Sequence, residues 1–121
     1  MSLELRWLTF DGQPKRVLFY ETPDGVCPFN DWLDDLRDRE ASQRVIKRLA
    51  RLRGGNPGDF KFVGEGVYEL RIDYGPGYRL YLAFADDEIV LLLCGGDKTT
   101  QARDIATAHE LWREFRKRTT P

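Results

Sequence analysis

The sequence is short of the groups that most often announce chemistry. Among 121 residues it holds one histidine, His109, one methionine and two cysteines, Cys27 and Cys94. Two cysteines and one histidine do not make up a common zinc site. Both cysteines stand among apolar residues, so they read as reduced core or edge positions in a reducing compartment. His109 has no evident serine or cysteine partner and reads as a helix residue. Gly64-Glu65-Gly66 lacks the third glycine and the following helix of a dinucleotide fingerprint, and Gly95-Gly96-Asp97-Lys98 lacks P-loop spacing. No cofactor or metal is therefore expected. The longest apolar run, Ile89 to Cys94, is too short to cross a bilayer. The first residues carry Glu4 and Arg6 instead of a continuous apolar leader. The expectation is one cytoplasmic domain over residues 1–121 without a membrane partner.

Net charge is also scarce, at −1, but its distribution is uneven. Glu21, Asp24, Asp31, Asp34, Asp35 and Asp38 make an acidic stretch, and a basic one follows from Arg39 to Lys61. Within it Arg44, Lys47, Arg48 and Arg51 form one stripe of a helix opposite the apolar stripe Val45, Ile46, Leu49 and Leu52. Such a stripe is either a solvated face or a binding surface for RNA or an acidic partner.

Periodicity predicts an α+β fold. Arg16 to Tyr20 reads as a strand, and Leu3 to Phe10 as a hairpin partner or an N-terminal extension over residues 1–13. Pro28 suits the start of a helix whose face is Phe29, Trp32, Leu33 and Leu36. Asp38 suits the cap of the basic helix, which Gly54-Gly55-Asn56-Pro57-Gly58 ends, so the two helices form an αα-hairpin. Val67 to Asp73 and Tyr78 to Phe84 alternate with period two around Tyr74-Gly75-Pro76-Gly77, as strands with one covered face do. Ile89 to Leu93 is apolar throughout, as in a central strand. Gly95-Gly96 breaks it, and Thr99 or Thr100 caps a last helix built on Ile105, Ala108, Leu111, Trp112 and Phe115.

The alternation places Arg71 and Arg79 on one face of the β-hairpin, with Lys98 just past the third strand and Lys61 in the loop before the first. Such a cation set suits a phosphodiester, because arginine binds phosphate oxygens bidentately and a lysine can move a proton. Tyr78 and Tyr81 can stack on bases or donate a proton. Gly95-Gly96 before a helix can offer N–H groups to phosphate. The competing reading pairs the arginines with Glu69 and Asp73 as ordinary surface ion pairs.

Three runs together carry a resemblance: GGNPGDFK from Gly54 to Lys61, VGEGVYELRIDYGPGYR from Val63 to Arg79, and LLCGGDKTTQ from Leu92 to Gln101. They resemble the RelE/ParE superfamily of toxins, nearest its HigB-like, phage-derived Gp49-like, addiction-module killer branch. The likeness runs from about Tyr20 to Phe115 and leaves out the residues before Pro14. It implies two helices on a twisted antiparallel sheet and a toxin held by a helix-turn-helix antitoxin. It also implies an endoribonuclease that cuts mRNA in the ribosomal A site. Arg71 falls where that family has a phosphate-stabilising arginine, Arg79 matches its Gly-Tyr-Arg strand, and Lys61 and Lys98 match flanking basic positions. The chain departs from it in its mild charge and in offering His109 and Trp112 near the C-terminus without a tyrosine, which leaves the general base open. The alternatives are a ParE-like inhibitor of gyrase without nuclease activity and a relative that only binds its antitoxin.

Overall fold

The computed structural model describes residues 10–120. In chain order the elements are β1 (Arg16–Phe19), α1 (Pro28–Asp35), α2 (Arg39–Arg53), β2 (Phe60–Phe62), β3 (Val67–Ile72), β4 (Tyr78–Phe84), β5 (Ile89–Asp97) and α3 (Gln101–Thr119). A 3-10 turn, Lys98–Thr100, joins β5 to α3. The expected strand at Leu3 to Phe10 lies outside the described residues save for Phe10, whose ring meets Phe60, Tyr68 and Phe84 edge-on.

The fold is α+β, as the periodicity predicts, with strand order β1-β5-β4-β3-β2. β2 to β5 pair antiparallel, but β1 runs parallel to β5, so the sheet is mixed. Only the tightly linked strands are bound to be antiparallel; β1 meets β5 after a long excursion and is free of that constraint. β2 forms where a loop was expected, because three residues are too few for alternation to register.

Local chemistry sets the helix ends. Pro28 opens α1, where its missing N–H loses no bond. The Asp38 carboxylate accepts from the N–H groups of Glu40 (3.0 Å) and Ala41 (3.3 Å), capping α2. Ala41, Val45, Leu49 and Leu52 bury the inner face of α2, while Ile46, one residue off that stripe, is 55% exposed rather than buried as expected. α1 and α2 cover one sheet face, over Leu70, Ile72, Leu80, Leu82, Phe84, Val90 and Leu92. Full burial of each such leucine contributes about 2 kcal/mol.

The second face is also covered, which alternation alone does not announce. There Val67, Tyr81, Ala83, Leu91 and Leu93 pack against Ala108 and Trp112 of α3. A bulge pairs Tyr81 with Cys94 and Leu82 with Leu92, so Leu93 is the extra residue and both Leu93 and Cys94 face α3. The expected break at Gly95 is absent, since β5 runs on to Asp97. Its glycines serve close approach instead. A Cβ on Gly95 would collide with the Trp32 ring, and one on Gly96 would collide with Asp104 Oδ2. Among the described residues, no helix is long and apolar enough to cross a membrane.

Candidate functional site

Strand register assembles the site. Arg71 pairs directly with Arg79, and Arg79 with Gly96. Directly opposed residues share a face, so both guanidinium groups rise side by side where β3 and β4 approach their loop. The neighbouring row reads Lys61, Glu69, Tyr81 and Cys94 across β2 to β5. Opposed like charges destabilise a sheet, and Glu69 answers them from that row.

Glu69 is fully buried. Its Oε2 accepts from the Tyr81 hydroxyl (3.0 Å) and from Gln101 Nε2 at the start of α3 (2.8 Å). Arg71 Nε stands 3.5 Å from Oε1 and Arg79 Nε 3.7 Å from Oε2. These are ion contacts longer than hydrogen bonds. Among the described residues, Glu69 Oε1 and the two Nε atoms are the buried side-chain polar atoms with no hydrogen-bond partner. Burial, then the charge and hydrogen bond of Glu69, push the Tyr81 phenol far above its usual pKa, so it stays a donor at any working pH.

Arg71, Arg79 and Lys98 converge on a hollow of about 340 Å³, whose wall also carries Asp59, Asp73 and Gly77. The Arg71 side chain is 38% exposed and that of Arg79 is 11% exposed. A second hollow of about 440 Å³ adjoins the first, sharing Asp59, Arg71, Ile72 and Asp73, and is lined beyond them by Arg44, Lys47, Arg48 and Arg51. The two basic features of the sequence thus meet at Arg71. Lys61 is exposed on the same sheet face as Glu69 but does not line the hollow.

Other expected roles change. Arg48 is not on the exposed stripe; it is 7% exposed. It donates to Pro57 O (2.7 Å), Arg71 O (2.6 Å) and Asp59 O (2.5 Å). Burial, then the nearby Arg51 charge, lowers its pKa. Tyr81 is buried beneath the arginines and has no face free for a base. Tyr78 points to the opposite sheet face, into the core beside Trp32, so it does not stack on a ligand beside Arg79 either. Gly95 and Gly96 lie extended in β5, so they do not form the expected turn of N–H donors. Arg44 and Arg51 are exposed; Arg44 pairs with Glu40 (2.8 Å) and sits over the Tyr74 ring (4.4 Å). His109 lies in α3, where Nε2 meets Val63 O at 2.9 Å and Nδ1 meets Glu65 at 3.3 Å.

Sequence reasoning placed Glu69 only as an ion-pair partner and missed Gln101. The signal for Glu69 was its place in the Tyr-Glu-Leu-Arg run, one strand step from Arg71 and across from Tyr81.

Residues 31–113 match the family described as Phage derived protein Gp49-like. An uncharacterized protein of Haemophilus influenzae is 48% identical over 87 residues, a stretch covering 72% of this chain and 88% of that protein.

Proposed function

The chain belongs to the phage-derived Gp49-like family, and from that premise we propose that it is the toxin of a toxin–antitoxin pair, a ribosome-dependent endoribonuclease acting on mRNA in the cytoplasm. The observation that carries this reading is the cross-strand pair Arg71 and Arg79 opening with Lys98 onto one hollow. Cleaving RNA requires attack by a 2′-hydroxyl, in-line placement of the phosphate and a proton for the departing 5′ oxygen. Arg71 and Arg79 hold the non-bridging oxygens, where charge builds in the transition state. Lys98 gives the proton to the leaving oxygen. Asp59 and Asp73 are the proton acceptors on the wall for the 2′-hydroxyl. Arg44, Lys47 and Arg51 take flanking phosphates in the adjoining hollow. The ribosome orients the mRNA, so a small cation set on a chain of net charge −1 suffices. The cognate helix-turn-helix antitoxin neutralises the toxin, and the basic stripe of α2 suits an acidic segment of it.

Expression of the protein alone, followed by growth, mapping of mRNA ends and plasmid supercoiling, tests this. Arrested growth with cuts inside translated messages is expected. Altered supercoiling with intact mRNA would instead make it a gyrase inhibitor, and undisturbed growth would make it a protein that only binds its antitoxin.

A further inference from the structure

We infer that Glu69 is a positioning residue. It holds Arg71 and Arg79 at their Nε atoms so that the outer Nη edges of both guanidinium groups form one pre-oriented cradle for a phosphodiester. The inference rests on the phosphodiester reading above and deepens it.

A guanidinium is a flat fork whose edges can each meet an anion. Glu69 approaches both arginines from the Nε side, at 3.5 and 3.7 Å. This leaves the Nη edges for a ligand. Arg79 Nη1 accordingly lies 3.7 Å from where a Gly77 Cβ would stand, and Gly77 lines the hollow. The carboxylate itself cannot swing, because Tyr81 from β4 and Gln101 from α3 both donate to Oε2. Being fully buried, it is out of reach of any RNA hydroxyl, so it is not the general base. A buried carboxylate is strongly disfavoured unless cations stand beside it, and here they stand beside it without hydrogen-bonding it. Ion attraction at Nε then fixes where each guanidinium sits while leaving its Nη donors for the substrate. Gly96 completes the arrangement, since it is the residue opposite Arg79 and leaves room for α3 to bring Gln101 in.

Glu69→Gln separates this role from a merely structural one. Gln keeps the shape and an acceptor for Tyr81 and Gln101 but removes the charge. Two quantities are read on protein shown to be folded by circular dichroism. One is cleavage of ribosome-bound mRNA, and the other is binding of the same mRNA made uncleavable by 2′-deoxy substitution. Cleavage falls about 100-fold, as expected for misplaced catalytic groups, while binding holds or tightens because a negative charge beneath the phosphate is gone. Cleavage within about threefold of the parent, or rate and binding weakening together, would overturn the inference. If the unaltered protein cuts no mRNA, the nuclease reading fails, and nitrogen-15 NMR still decides the positioning role. The Nε–H signals of Arg71 and Arg79 then persist against solvent exchange in the parent and are lost in Glu69→Gln; unchanged signals would overturn it. Should Glu69→Gln not fold, Gln101→Met, which removes one support of the carboxylate, is read the same way. A smaller change in the same direction is expected, and no change overturns the inference.

Discussion

Arg48 of α2 and Arg79 of β4 are both largely withdrawn from water, and they use their donors in opposite ways. Arg48 gives Nε, Nη1 and Nη2 to three carbonyl oxygens, one of them that of Arg71. It ties α2 to the loop at Pro57 and Asp59 and to the end of β3. Arg79 faces a carboxylate at 3.7 Å, and its Nε makes no hydrogen bond. Arg71 repeats that arrangement at 3.5 Å. A buried cation whose three nitrogens each donate to a backbone carbonyl holds a fold together. One held at its buried Nε by charge alone keeps its Nη edge for a ligand. The first fixes the backbone on which the second is mounted, because Arg48 bonds the Arg71 carbonyl directly.

Substitutions at the two arginines separate these two uses. The largest effect is expected from Arg79→Lys, which keeps a positive charge beside Glu69 but loses the planar fork. Cleavage should fall by about 100-fold or more, with the protein still folded. Rates measured on ribosome-bound mRNA, beside a melting curve, check this. Arg48→Met should do the reverse. Three carbonyls lose their donor, among them that of Arg71, so stability drops by about 3 kcal/mol in urea unfolding, while the folded fraction loses far less cleavage than Arg79→Lys does, about tenfold or less. A smaller effect is expected from Tyr81→Phe, about 1 kcal/mol at neutral pH. Its pH dependence carries a sign. The Tyr81 pKa in the fold is raised above its usual 10.0, so its contribution is present in full below pH 10 and is lost as pH rises beyond it. The alkaline decline in stability should therefore be shallower in the Phe variant. Lys61→Ala should change cleavage least, by less than about threefold, because Lys61 stands outside the hollow that Lys98 lines.

Elements with a strong period were legible in the sequence. The alternation of β3 and β4 put Arg71 and Arg79 on one face, and the cap at Asp38 and the stop at Gly54 bounded α2. What escaped depends on contacts far along the chain. The parallel pairing of β1 has no local signature. Gly95 and Gly96 read as a strand break because what demands their smallness, Trp32 and Asp104, lies on two different helices. Arg48 looked like one more surface cation because helical spacing gives direction but not the carbonyls waiting there. Tyr81 looked available for stacking because alternation put it on the polar face, and only the packing of α3 shows that this face is closed over it. The arginine pair was therefore readable, and the buried carboxylate that organises it was not.

On the proposed function, Arg71 serves chemistry while the frame behind it serves the fold. Arg71→Ala, assayed for growth arrest on expression without antitoxin and for its melting temperature, tests this most directly. A folded protein that melts within about 4 °C of the parent and no longer arrests growth is expected. A well-folded Arg71→Ala protein that remains as toxic as the parent would contradict it.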